Sequence, residues 1–164
     1  MVKIKEEKGF SLIEMMIVIG ILAILVAIAA PQWNVYVRNN ALKSAARDLA
    51  GDIQIIRQRA MAGSPSPFVA LPYTLQFLDG TRYTFTLPAD LAPFQAIITT
   101  KNIATFYPDI KFLQITFPGN QIQFQARGTM ALWGQVILTN DRGSQVTLKA
   151  IPPAGRINVT YNMQ

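Results

Sequence analysis

The first thirty positions form a short charged segment followed by a long apolar one. Residues 1–9, MVKIKEEKG, carry three lysines and two glutamates, and residues 10–30 contain Glu14 as their only ionisable side chain. At 1.5 Å per residue these helical positions span about 30 Å, the hydrocarbon thickness of a bilayer. The pattern predicts a membrane-spanning helix over 10–30. Because cationic flanks stay cytoplasmic, the remainder of the chain is expected beyond the inner face of the membrane.

From residue 31 to 62 the helical pattern continues but becomes one-sided. Apolar residues recur at i, i+3 and i+4 spacing, which predicts an amphipathic helix whose stripe lies against a globular domain. The stripe consists of Ala41, Leu42, Ala45, Ala46, Leu49, Ile53, Ile56 and Ala60. The opposite face is predicted to hold Arg38, Asn39, Lys43, Arg47, Asp48, Asp52, Arg57 and Gln58. Pro31 is expected to kink the helix, and AGSPSP at 62–67 to end it, with Gly63 as its C-cap.

After residue 68 the apolar period changes to two, which indicates strands. Predicted strands cover 73–78, 82–87, 94–99, 112–117, 121–126, 134–140, 144–150 and 156–161, with a loop at 87–93. DGT at 79–81 and DRG at 141–143 predict two hairpins. Many short strands after one long helix predict an α+β fold, with an antiparallel β-rich head at 63–164 packed on the amphipathic half-helix.

The aromatic residues of the head alternate along the predicted strands and are expected in the core rather than in a ligand platform. They are Tyr73, Phe77, Tyr83, Phe85, Phe112, Phe117 and Phe124. Trp133 precedes a predicted strand, and the pattern leaves open whether it is buried or exposed.

Composition removes several kinds of chemistry. The chain has no cysteine and no histidine, which excludes disulfides, thiolate or imidazole metal sites and Cys- or His-based catalytic groups. Its acids do not form an EF-hand-type loop, and their spacing favours no paired-carboxylate site. The mean hydropathy of +0.25 comes mostly from residues 10–30. We therefore expect no enzymatic site, no metal and no cofactor.

The net charge of +6 is modest evidence about partners. The lysines and glutamates of residues 1–9 account for +1, which leaves +5 for the rest of the chain. A basic excess of this size usually serves solubility or a surface preference and only sometimes nucleic-acid binding.

The order of segments at the N-terminus is the reverse of a secretory signal, in which small residues at the cleavage site follow the apolar core. Here the glycine at the charged-to-apolar boundary precedes the apolar run, at Gly9-Phe10. Cleavage there would remove the charged leader and keep the hydrophobic helix.

KGFSLIEMMIVIGILAILVAIAAP closely resembles the leader of type IV pilins and type II secretion pseudopilins. The match includes Gly9, Phe10, Ser11, Leu12, Ile13, Glu14 and Pro31. The resemblance implies that prepilin peptidase cleaves at Gly9-Phe10 and N-methylates Phe10. It also implies storage as a single-pass inner-membrane protein with a periplasmic head, then extraction by a platform protein and an assembly ATPase. The final location would be a periplasmic or extracellular filament of pilins or pseudopilins.

Glu14 is costly in lipid, because a carboxylate at the centre of a spanning helix costs about 2.5–3.5 kcal/mol on insertion scales. It lies one turn from Phe10, where the helix macrodipole is positive. In the resembling proteins the corresponding acid is thought to meet the N-terminal amine of a neighbouring subunit, which implies an assembly role for Glu14. The alternative is a carboxylate that snorkels to the interface without a partner.

The C-terminal half resembles GspH/FimT-type minor pilins and pseudopilins. Gly128, a Gly-x-Val-x-Leu strand from Gly134, the Asp141-Arg142-Gly143 hairpin and the closing Gly155-Arg156-Ile157 carry the likeness. It implies a minor subunit of either a type II secretion pseudopilus or a type IV pilus, and residues 62–110 match least. The calcium-binding loop of major pseudopilins and the disulfide loop of many major pilins are not found.

Two alternatives remain open at this point. Some GspH/FimT-type pilins bind DNA for uptake, and possible contacts here are Arg156, Lys149, Arg142 and Arg127. Asn158 stands where a second arginine would be expected, and a solvated or ion-paired role for Arg156 is favoured over a phosphate contact. The other alternative is a membrane-anchored binding domain that never polymerises.

Overall fold

The computed structural model describes residues 9–62, 73–87 and 97–164. These residues belong to two compact units, Met1–Val37 and Arg38–Gln164, and each unit is described by itself.

The first unit is helical. Helix α1 begins at Leu12 and runs to Ala62, and it is continuous across Pro31. All residues from 9 to 34 are exposed within this unit. One 18-residue window has a mean hydropathy of 2.9 and no buried residue, so its length and composition suffice to cross a membrane. The predicted long apolar helix is confirmed, whereas the kink at Pro31 stays a prediction.

In the second unit, the later turns of α1 bury one stripe. Its buried residues are Leu42, Ala45, Ala46, Leu49, Asp52, Ile53, Ile56 and Ala60. Every apolar position of the predicted stripe is therefore buried or half-buried, with Ala41 packed at the margin. The placement of Asp52 on the solvated face was wrong, because its relative exposure is 7%.

The strands described in the second unit form two antiparallel four-stranded sheets. Their strands are β1 (Tyr73–Phe77), β2 (Arg82–Leu87), β3 (Ile97–Asn102), β4 (Lys111–Ile115), β5 (Gln121–Phe124), β6 (Gly134–Thr139), β7 (Gln145–Ile151) and β8 (Arg156–Asn162). The first sheet has the order β3-β2-β1-β5, and the second has the order β4-β6-β7-β8. The predicted α+β, pilin-like fold of a long helix packed on an antiparallel β-rich head is confirmed.

Both predicted hairpins are present. Strands β1 and β2 pair with Phe77 opposite Tyr83, and β6 and β7 pair with Thr139 opposite Gln145. Gly143 has φ of +82°, a left-handed conformation that glycine adopts without steric cost.

Other predicted boundaries differ from those observed. The strand predicted at 94–99 occurs as β3 from Ile97 onward, and residues 94–96 lie outside the described residues, as do most of the predicted loop at 87–93 and the Gly63 cap. The sequence reading also missed a short helix, α2 (Ile103–Phe106), which begins at Asn102. The side chain of Asn102 accepts a hydrogen bond from the backbone N–H of Ala104 and caps it.

One hydrophobic core joins the helix stripe to the inner faces of the sheets. All the predicted core aromatics belong to it: Tyr73, Phe77, Tyr83, Phe112, Phe117 and Phe124 are buried, and Phe85 packs against it half-buried. Phe77 stacks on Phe117 and meets Phe112 edge-on, with ring centroids 6.5 and 5.1 Å apart. Trp133, left undecided by the sequence, is 66% exposed.

Candidate functional site

The N-terminal candidate site consists of the residues around the start of α1. Gly9, Phe10 and Ser11 precede the helix, and Glu14 lies in its first turn. Ser11 and Glu14 have the Ser-x-x-Glu spacing of a capping box, and a carboxylate in the first turn is favoured by the helix macrodipole. The start of the helix therefore favours a carboxylate at position 14 even within a single chain.

The surroundings of Glu14 are nevertheless apolar and exposed. Phe10 is 79% exposed, Ile13 66% and Ile17 58%. A continuous apolar surface on a helix needs lipid or another protein against it. Glu14 is the only charged side chain between Gly9 and Arg38, so it supplies the single charge of that surface.

A second candidate site in the head is centred on Asp52, which sequence reasoning had placed in solvent. Lys101 Nζ lies 2.7 and 2.8 Å from the two carboxylate oxygens of Asp52, and the Tyr83 hydroxyl donates to the same carboxylate. Burial raises the pKa of the Tyr83 hydroxyl, and the hydrogen bond to Asp52 raises it further. These contacts tie α1 to strands β2 and β3.

An open cleft of about 780 Å³ lies beside this cluster, between α1 and the β3-α2 segment. Its apolar lining includes Ile55 and Phe106, which are 49% and 79% exposed. Tyr107 donates a hydrogen bond to Asp48 across 2.8 Å, and this bond raises the pKa of the Tyr107 hydroxyl. The lining residues that the structure describes include two carboxylates and two cationic side chains, so their charges balance.

The structure brings together some of the four basic residues singled out in the sequence. Lys149 pairs with Asn158 and Ile151 with Arg156, so Lys149 and Arg156 are diagonal neighbours on the outer face of β7 and β8. Both side chains are exposed.

Arg127 lies near them, whereas Arg142 does not. A Cβ added at Gly155 would lie 3.0 Å from the carbonyl oxygen of Gly128, which places the backbone beside Arg127 next to the start of β8. Arg142 lies in the β6-β7 turn, and about 13 Å of strand separates Gln145 at that turn from Lys149. The four residues therefore do not form a single patch.

A further ion-pair cluster, which the sequence did not predict, anchors the part of α1 at which the second unit begins. Arg38 pairs with Asp109, at 3.4 Å, and with Asp141. Asn39 donates to the carbonyl oxygen of Gln164 across 3.1 Å. The partners are 71 and 103 positions from Arg38, and no sequence spacing signals such a contact. Both aspartates occupy connections rather than strands.

No group of three or more His, Cys, Asp or Glu side chains is placed to hold a metal ion among residues 9–62, 73–87 and 97–164.

Comparison with known proteins adds one match. A model of the prokaryotic N-terminal methylation motif matches residues 4–30, which include Gly9, Phe10 and Glu14. No solved structure matches the chain. The motif is typical of type IV pilins and pseudopilins, and it indicates that this chain is a pilin-like substrate of prepilin peptidase.

Proposed function

We propose that the chain is a structural minor pilin or pseudopilin, assembled into a type II secretion pseudopilus or a type IV pilus. Residues 1–9 are the leader, removed by cleavage between Gly9 and Phe10, after which Phe10 is N-methylated. Residues 10–30 lie in the inner membrane before assembly and in the filament core afterwards. Residues 31–62 are the amphipathic half of the helix, and residues 63–164 form the head. The role is structural rather than enzymatic.

The observation that carries the proposal is a single carboxylate on an otherwise apolar, exposed helix surface. Glu14 lies in the first turn of α1, and its neighbours Ile13 and Ile17 are more than half exposed. Cleavage after Gly9 creates a cationic amine on Phe10. An unpaired charge in an apolar interior costs several kcal/mol, so this carboxylate and the amine of an adjacent subunit stabilise each other when the apolar surfaces pack together.

The capping-box spacing of Ser11 and Glu14 makes the proposal sharply testable. Glutamine replaces glutamate in a capping box without loss of the reciprocal hydrogen bond, but it carries no charge. We expect Glu14→Gln to be cleaved and inserted in the membrane yet excluded from filaments. Ser11→Ala, which removes the serine of this spacing and leaves the charge, is the matched control and is expected to enter filaments. The readout is immunodetection of the chain in sheared filaments relative to the membrane fraction.

Wild-type incorporation of Glu14→Gln would contradict the proposed pairing, because Glu14 would then act only as a helix cap. Loss of Glu14→Gln from the membrane fraction itself would also contradict it, since the proposal assigns storage to the apolar residues of 10–30. A chain that is never found in filaments, in cells that assemble them, would favour the membrane-anchored binding domain.

A DNA-binding minor pilin is the second candidate. Lys149 and Arg156 lie diagonally on one exposed sheet face, and Arg127 lies near the start of β8. Phosphate contacts by such residues give binding that weakens steeply with salt. Gel shifts of the full chain, with Arg156→Ala and the distant Arg142→Ala as its control, test this role. Salt-sensitive binding lost only in Arg156→Ala would favour it, and no binding by the wild-type chain would exclude it.

A further inference from the structure

A second, smaller cleft of about 270 Å³ lies beside β5, which is an outer strand of the first sheet among the described residues. One wall is the 3-10 turn Pro118–Asn120, and the other is the segment 130–132. Gln121, Gln123 and Gln125 contribute side chains to its lining. Ile122 and Phe124 alternate with Gln121 and Gln123 and are buried, so these two glutamines lie on the outer side of β5, and Gln125 directly follows the strand.

Within the described part of the chain, the three glutamine amides have no hydrogen-bond partner. Each amide offers both a donor and an acceptor, a combination that matches sugar hydroxyl groups, which also donate and accept. Gln121 lies directly opposite Gln76 on β1, and Gln123 lies opposite Thr74. Four uncharged polar side chains therefore form one block on the sheet surface.

The described lining of the cleft is uncharged and offers apolar surface. Its described lining residues are all uncharged, so they supply no ion pair for phosphate or for a charged peptide. Phe117, Met130 and Leu132 supply apolar lining. Trp133, next to Leu132 in the chain, is 66% exposed and offers an aromatic surface of the type that packs against apolar C–H faces.

We propose that this cleft binds a neutral sugar residue, with hydroxyl groups on the glutamine amides and a C–H face on the apolar lining. The volume lies below the about 300–1,000 Å³ of pockets for drug-sized ligands, which suits a single pyranose ring. The site belongs to the head alone and does not depend on assembly of the chain into a filament. A peptide added as a strand along β5 is the competing occupant, and it is an outcome of the test below.

Trp133 provides the readout. The chain has two tryptophans, and Trp33→Phe leaves Trp133 as the only one. The full chain carrying Trp33→Phe is purified in a polyoxyethylene detergent, since maltoside detergents are themselves sugars. Methyl glycosides of glucose, galactose, mannose and N-acetylglucosamine are titrated separately, with glucuronate as the anionic comparison. We expect a saturable change in Trp133 fluorescence with at least one neutral glycoside, at concentrations on the order of 1 mM.

Variants locate the binding. Loss of one neutral hydrogen bond, about 0.5–1.5 kcal/mol, predicts affinity about 2- to 13-fold weaker in Gln123→Ala, a substitution at an exposed position. Gln145→Ala, on the second sheet, is the matched control and is expected to leave affinity unchanged. Amide side-chain NMR shifts of Gln121, Gln123 and Gln125 on addition of the same glycoside provide an independent measurement.

Three results would overturn the proposal. They are the absence of any saturable change in both Trp133 fluorescence and the glutamine amide shifts with the neutral glycosides, equal affinity in Gln123→Ala and Gln145→Ala, and tighter binding of glucuronate than of glucose. Saturable binding of an uncharged extended peptide that perturbs the same amides, with no sugar response, would assign the cleft to strand addition instead.

Discussion

The Nζ atom of Lys101 lies within 2.8 Å of both carboxylate oxygens of Asp52 and links the edge strand β3 to helix α1. Asp52 is 7% exposed, and Tyr83 on β2 donates to the same carboxylate. A buried carboxylate with its partners in place is tolerated, but removal of one partner leaves a desolvated charge. The cluster therefore fixes the helix against this side of the head.

We expect Lys101→Met to lower the free energy of unfolding by about 1–3 kcal/mol. Breaking a fully buried pair costs more, but the Lys101 side chain is 45% exposed and water screens part of the lost attraction. Lys111→Met, at an exposed position on β4, is the control and should change stability by less than about 0.5 kcal/mol. Thermal denaturation followed by near-UV circular dichroism gives the comparison. Equal effects of the two substitutions would contradict a stabilising role for the ion pair.

The raised pKa of the Tyr83 hydroxyl predicts that the folded chain loses stability in alkali. This pKa is raised by burial and by the Asp52 hydrogen bond, so the folded chain keeps the phenol proton after the unfolded chain has released it. The resulting stabilisation is fully present below the unfolded value of about 10 and is lost as pH rises above it. Tyr83→Phe should flatten this alkaline decline and lower stability at neutral pH by about 1.5–3 kcal/mol. Tyr161→Phe, at an exposed position, is the control, and identical pH profiles for both variants would refute the assignment.

We expect alanine substitutions at Gly134 and at Gly51 to change the stability of the head in opposite directions. A Cβ at Gly134 would lie 2.3 Å from the buried Phe117 ring, which the core holds in place, whereas nothing lies within 4 Å of a Cβ at Gly51. Gly134→Ala should destabilise the head by about 1–3 kcal/mol through overpacking. Gly51→Ala, inside α1, should stabilise it by about 0.8–1.0 kcal/mol. Chemical denaturation separates the two, and a tolerated Gly134→Ala would show that the Phe117 ring moves freely.

The lowered pKa of the Asp79 carboxyl predicts that the folded chain loses stability in acid. Backbone hydrogen bonds from Thr81 and contacts with Arg82 hold the pKa of the Asp79 carboxyl well below its usual range. This contribution is present above the unfolded value of about 3.9 and is lost as pH falls below it. Asp79→Asn keeps the turn-forming side chain but no longer titrates, so we expect a flatter stability profile between about pH 4 and 2 than in the wild type. An unchanged acid profile would show that other carboxylates dominate there.

Much of the fold follows from local pattern. The alternating residues on both sides of DGT and DRG are enough to predict two hairpins, because turn residues with a required backbone conformation fix the register of their strands. The helical spacing of the apolar residues in 41–60 likewise predicts the buried stripe, because residues three and four positions apart lie on one face of a helix. Boundaries shifted where no turn signal marks them, as at β3, which extends to Asn102 rather than ending at 99.

The Asp52 cluster was missed although its position carried a signal. Position 52 is three residues after Leu49 and four before Ile56, which places it on the buried stripe by period alone. Its charge assigned it to solvent, because a buried carboxylate needs partners that a local pattern does not show. Those partners, Tyr83 and Lys101, lie 31 and 49 positions away. The separation of Arg142 from Lys149 follows from the predicted hairpin, which places Arg142 in the turn and Lys149 near the far end of the next strand, whereas the β7-β8 register that makes Lys149 and Arg156 diagonal neighbours is not visible in the sequence.

The N-terminal composition of the chain in assembled filaments tests the central claim most directly. Filaments are sheared from cells that retain prepilin peptidase, and the N-terminal peptide of the chain is measured by mass spectrometry. We expect the chain in this fraction, with a peptide that starts at Phe10 and carries one added methyl group on its amine. A chain that remains in the membrane with Met1 intact, while other subunits are processed and assembled, would contradict the proposed function.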